Sequence, residues 1–173
     1  MATMYKLHDV SLLNGKNIFF DANVLIYLFW PTGSYYYELN YARAFNGLLR
    51  QGNGLYVDFT IISEIVNRVL RDELKRLQPG MKLKDFRDSP EGQQVLSDIY
   101  LIIKSNILSN FNIIGKAFSK NDVENFLVVD NMDFVDKATQ QICKENDLVL
   151  LTNDKDFKNA DLDILTGNPS ILN

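Results

Sequence analysis

The chain has 173 residues, 46% hydrophobic and 23% charged, which allows one hydrophobic core and excludes a disordered, collagen-like or coiled-coil protein. Against 22 Asp and Glu stand 18 Lys and Arg, a net charge of -4; this excludes binding a polyanion through bulk charge, though not through a local basic patch. One cysteine, Cys143, and one histidine, His8, exclude a disulfide framework, a Cys-rich zinc site and a His cage, and leave any catalysis to carboxylates and hydroxyls.

Asn14-Gly15 reads as a turn into a first strand over 16–20. Asp21-Ala22-Asn23 follows at once, then an apolar run over 24–30 that reads as a helix ended by Pro31 and Gly33. Ser34 is placed to cap a second helix through about Leu49, closed by Gln51-Gly52-Asn53-Gly54. A second strand is expected over 55–59. Thr60 is the expected N-cap of a helix over 61–78, in which Ile61, Ile62, Ile65, Val66, Val69, Leu70, Leu74 and Leu77 recur at helical spacing before Pro79-Gly80. Residues 81–88 are polar and basic and read as a loop.

Ser89-Pro90 supplies a cap and a first-turn proline for a helix to about Ser109. A third strand is expected over 111–114. Ser119-Lys120-Asn121-Asp122 resembles a capping signal before a short helix, and a longer helix covers 133–145. Strands over 148–151 and 162–165 complete the alternation. No repeat or linker interrupts the chain, so residues 1–173 read as a single domain. Such alternation implies an α/β/α sandwich with a mostly parallel central sheet. The longest apolar run is too short to span a bilayer, and the N-terminus has no signal pattern, so the expectation is a cytoplasmic protein without membrane contact.

Ligands of parallel sheets gather beyond the carboxyl ends of the strands. Asp21 follows the first strand, Glu64 lies early in the helix after the second, and Thr152-Asn153-Asp154 follows the fourth. A length estimate brings Asp136 to the same edge. The helix over 136–145 travels about 15 Å at ~1.5 Å per residue, and the strand to Leu151 returns a similar distance at ~3.3 Å per residue. Four converging carboxylates repel one another, and burial makes ionising them all costly. A hard divalent cation with oxygen ligands, Mg²⁺ or Mn²⁺, resolves that repulsion and suits work on phosphodiesters. Each acid also has a plainer reading. Asp21-Ala22-Asn23 can cap a helix, Glu64 can be a solvated acid, and Asp133 and Asp136, at i and i+3, can be an N-cap and a first-turn acid.

Phe19-Phe20-Asp21-Ala22-Asn23-Val24-Leu25, Thr60-Ile61-Ile62-Ser63-Glu64, Asp133-Phe134-Val135-Asp136 and Leu151-Thr152-Asn153-Asp154-Lys155-Asp156-Phe157 resemble, in that order, the motifs of the PIN-domain nucleases. The match is nearest to the VapC-like ribonuclease toxins of bacterial toxin–antitoxin pairs and runs from about Ile18 to Pro169, taking in Thr166-Gly167-Asn168-Pro169. The resemblance implies a parallel α/β/α fold and a quartet of acids, here Asp21, Glu64, Asp136 and Asp154, holding Mg²⁺ or Mn²⁺ for hydrolysis of RNA. Water attacks the phosphodiester in that scheme, with no covalent protein nucleophile. Asn23 and Thr152 would be supporting residues. Spacing to Thr152 selects Asp136 over Asp133 as the ligand, with Asp133 behind it; Thr-x-Asp selects Asp154 and leaves Asp156 as a turn residue. A cognate antitoxin and a homodimer are the implied protein partners. Two features depart from the family: Lys137 follows the third acid, and extra length falls between Leu77 and Gly115, a helical elaboration around 78–115. A non-catalytic PIN-fold RNA-binding or assembly module is the alternative. A phosphatase using Asp21 as nucleophile is disfavoured, because Asn23 stands where a second Asp is wanted.

From Arg68 to Arg87 seven basic residues outnumber three acids. Arg68, Arg71 and Lys75 continue the face that carries Glu64, so they are the candidates to guide an RNA backbone toward the acids, against the plainer reading of a solvated helix face. Tyr35-Tyr36-Tyr37, Phe29 and Trp30 suit base stacking, core packing or a protein interface. His8 and Cys143 read as structural.

Overall fold

The turn at Gly15, with φ of 79°, delivers the chain into β2 (Asn17–Phe20), where Ile18, Phe19 and Phe20 are fully buried. The computed structural model describes residues 2–30 and 33–172, so the expected helix stop at Pro31 lies outside the described residues. Six short strands form one sheet: β1 (Met4–Lys6), β2, β3 (Leu55–Val57), β4 (Asn112–Ile113), β5 (Leu148–Leu151) and β6 (Ile164–Thr166). Their order is β1-β6-β5-β2-β3-β4, and every pairing is parallel. Every residue of β5 and β6 is buried, as happens when helices cover both faces of a parallel sheet. The architecture is a three-layer α/β/α sandwich.

Caps set the helix starts. Asp21 caps α1 (Ala22–Phe29), its side chain accepting from the Ala22 N–H. Helix α2 (Tyr35–Gln51) ends where Gly52 turns left-handed at φ of 73°. Behind that turn Asn53 donates to the carbonyls of Leu13 and Lys16 at 2.6 and 2.8 Å. Helix α3 (Phe59–Leu77) starts at Phe59 because its N-cap is Asp58, not Thr60. The buried Asp58 Oδ1 accepts from the Ile61 N–H at 2.8 Å and from the Thr60 hydroxyl at 2.7 Å. The earlier cap takes two residues from the expected strand.

The expectation of a loop over 81–88 is corrected: Leu83–Asp88 is a helix, α4. Its one fully buried side chain, Phe86, is too little apolar pattern to announce a helix, and tertiary packing rather than propensity holds it. Ser89 caps α5 (Pro90–Ile102), accepting from the Gly92 N–H at 3.1 Å. The helical path loosens into a π-turn over Ile103–Ile107 before α6 (Leu108–Asn110). Ser119 and Asp122 form a reciprocal capping box at α7 (Lys120–Phe126). Helix α8 (Phe134–Glu145) and the short α9 (Pro169–Leu172) follow. Among the described residues, β1, the 3-10 turns over Leu7–Leu13 and Lys155–Asn159, and α9 were not among the expected elements. No helix among the described residues is long and apolar enough to cross a membrane.

Candidate functional site

In the strand order, the chain leaves β2 toward β3 on one side, while β5 pairs on the other. The crevice at the carboxyl ends of β2 and β5 is therefore the switch point where ligands of parallel sheets settle. Phe20 pairs with Leu151, and the Asp21 N–H donates to the Leu151 carbonyl at 3.0 Å. This register sets Asp21 beside Thr152.

Asp21 is the buried anchor, 8% exposed. Its Oδ1 accepts from the Ala22 N–H at 2.7 Å, and its Oδ2 accepts from the Thr152 hydroxyl at 2.5 Å and the Asn23 amide at 2.8 Å. Asn23 Oδ1 accepts from the Asn153 N–H at 3.1 Å, tying α1 to the loop after β5. Thr152 Oγ1 also accepts from the Asp154 N–H at 2.9 Å. Asn23 and Thr152 thus hold Asp21 and position Asp154 around it. The capping reading and the site reading of Asp21 are both satisfied by one carboxylate.

Burial pushes the Asp21 carboxyl up to about 6; the Thr152 and Ala22 hydrogen bonds oppose the rise, and Glu64 and Asp154 add to it. Asp136, in the first turn of α8 and half-buried, rises to about 7 through burial and then through repulsion from Asp21, Asp154, Asp133 and Glu64. Asp21 and Asp136 each feel the charges of Glu64 and Asp154, and Asp136 also that of Asp21. Asp133 is the N-cap of α8 and accepts from the Val135 N–H at 2.9 Å. Asp156 is exposed and lines a different cleft with Lys137 and Lys144.

An all-oxygen donor set under mutual repulsion fits a hard divalent cation. As placed, however, no group of three or more His, Cys, Asp or Glu among the described residues encloses a metal ion. Glu64 is paired with Arg68 at 3.1 Å, and Asp154 Oδ1 accepts from the Asp156 N–H at 3.0 Å. Lys137, the departure from the family pattern, bonds to the carbonyls of Phe126 and Val128 and pairs with Asp130 at 3.0 Å. It ties down the loop before α8.

Sequence reasoning missed Tyr41. Its buried hydroxyl lies 3.0 Å from both the Thr152 carbonyl and Asn153 Oδ1, to which it donates, and accepts from the Gly167 N–H at 3.0 Å. Burial raises its pKa, so the group stays a neutral donor. Asn168 adds a bond of 2.6 Å to the Asn153 carbonyl. Tyr27 stacks on Tyr37 and Tyr41, with centroids 5.5 and 5.8 Å apart. Tyr37 and Tyr41 stand at i and i+4, a spacing that signals a shared helix face. Of the flagged aromatics, Tyr35 and Tyr36 are exposed, while Phe29 packs edge-on against Phe45. Cys143 is buried and His8 is exposed.

Of the basic row, Arg68 faces Glu64, Lys75 pairs with Asp72 at 3.3 Å, and Arg71 enters none of the ion pairs among the described residues. No protein-family model matches the chain. No curated protein matches it either.

Proposed function

We propose that the protein is a Mg²⁺- or Mn²⁺-dependent endoribonuclease of the PIN-domain kind, acting as the toxin of a toxin–antitoxin pair. The observation that carries the reading is the meeting of Asp21, buried at the sheet's switch point and held by Thr152, with Asp136 in the first turn of α8, two carboxyls near enough to repel each other. A fold that needed only caps and surface acids has no reason to keep such repulsion. Asp21, Glu64, Asp136 and Asp154 would hold the cation. When bound, the ion supplies positive charge to the phosphodiester and lowers the pKa of an attacking water. The chain's own part is positioning: Thr152 and Asn23 fix the Asp21 carboxylate, Tyr41 and Asn168 fix the loop that carries Asp154, and Arg68 and Arg71 guide the RNA backbone. Arg68 holds Glu64 through Oε1, which would leave Oε2 to face the ion.

The test is RNA cleavage by the parent and by Asp21→Asn in Mg²⁺, with new RNA ends mapped after induced expression in a bacterial host. We expect discrete cuts and growth arrest from the parent, and at least ~100-fold slower cleavage by the variant. Equal rates overturn the assignment. A second reading, supported by the pairing of Glu64 with Arg68, is a PIN-fold module that binds RNA without cutting it. That module would bind RNA equally with and without EDTA and would show no cleavage at high protein concentration.

A further inference from the structure

Glu64 belongs to two places at once. It acts on Asp21 and Asp136, and it lines a groove of about 410 Å³ with Phe59, Ser63, Arg68, Arg71 and Val135. Phe59 and Ser63, at i and i+4, share one face of α3, and Glu64, Arg68 and Arg71, at i, i+4 and i+7, share the neighbouring face. Phe59 is 77% exposed, while Ile61 and Ile65 of the same helix are buried in the core. An aromatic ring left in water at a helix start forgoes the stabilisation that burial supplies. Its position is nevertheless firmly set, because the neighbouring cap Asp58 is buried and bonded to Ile61 and Thr60.

Chemically the groove is a set of complements for a short run of nucleotides, since Phe59 and Arg71 stand about 18 Å apart along the axis of α3 at ~1.5 Å per residue. It has an apolar ring face at one point, an Arg71 guanidinium that enters no ion pair among the described residues, and a second guanidinium shared with an acid of the centre. Arginine suits phosphate, and exposed aromatic rings stack on unpaired bases whatever their identity.

We propose that Phe59 is a stacking platform for an unpaired base of the RNA beside the scissile phosphate, with Arg71 holding a phosphate a few nucleotides along the strand. This rests on the ribonuclease reading and adds a positioning residue to it. The experiment titrates the full chain into short mixed-sequence oligoribonucleotides carrying 2-aminopurine, in EDTA, and then measures KM and kcat in Mg²⁺. The parent quenches the fluorescence on binding. Phe59→Ala loses the quench and binds roughly tenfold more weakly, Phe59→Trp retains both, and the Phe59→Ala loss enters KM more than kcat. Arg71→Ala weakens binding and flattens its salt dependence. Circular dichroism checks that the variants fold. If the parent binds and cuts RNA while Phe59→Ala matches it, this inference alone fails, and the exposed ring is left for a protein partner. If the parent binds no RNA, the inference and the ribonuclease reading fall together.

Discussion

At the Asp21 carboxylate, three hydrogen bonds favour the charged form while burial and two neighbouring acids disfavour it. Burial wins. The unfolded chain titrates Asp21 and Asp136 near 3.8, whereas the folded chain does so at about 6 and about 7. Between those values the folded state holds protons that the unfolded chain has released, so stability falls as pH rises. The contribution is fully present below about pH 4 and lost by about pH 7. Thermal unfolding in EDTA should therefore give a lower Tm at pH 7.5 than at pH 5, and excess Mg²⁺ should restore it at pH 7.5 by binding only the folded state. A metal-free Tm that rises steadily from pH 5 to 7.5 contradicts the charge balance drawn for this crevice. Asp21→Asn should flatten the profile.

At the scale of elements, the α4–α5 corner depends on one missing side chain. A Cβ on Gly92 would lie 1.9 Å from the Phe86 carbonyl oxygen, a backbone atom that cannot swing aside. Gly92→Ala gains about 1 kcal/mol of helix propensity but meets an overpacking cost of about 1–3 kcal/mol, and the direct backbone clash puts it at the high end. We expect net destabilisation of about 1–2 kcal/mol, read as a lower urea midpoint with unchanged slope. The same corner shows where sequence reasoning stops. Ser89-Pro90 announced α5 because capping chemistry is local. Nothing local announced α4, whose stability comes from burying Phe86. The start of α3 was misread for a related reason: Asp58 and Thr60 are both good caps, and the hydrogen bonds between them, rather than composition, decide which one serves.

Across the whole molecule, the parallel sheet was legible because its buried strands read as apolar runs between helical patterns. The edge strand β1 was not, since three residues of half-buried pattern carry no periodicity. It pairs with β6 in the register Met4 to Ile164, Tyr5 to Leu165 and Lys6 to Thr166. Deleting residues 2–6 would leave β6 as an open edge with fully buried side chains behind it. A lower Tm and rising light scattering on storage are the expected results, and an unchanged Tm would show that β1 contributes nothing. Of the candidate site, the acids were legible from their place after strands and in early helix turns. Tyr41 was not singled out, because its role is to tie distant loops together and appears only once residues over a hundred positions apart meet.

The pairing of β2 with β5 joins an early strand to a late one. A ribosome-bound fragment that stops short of Thr152 has Asp21 without its hydroxyl partner and lacks Asp154 altogether. The crevice therefore assembles only after the chain through Asp154 has emerged. Whatever chemistry it performs is withheld until that point, and the order of strands alone provides the delay.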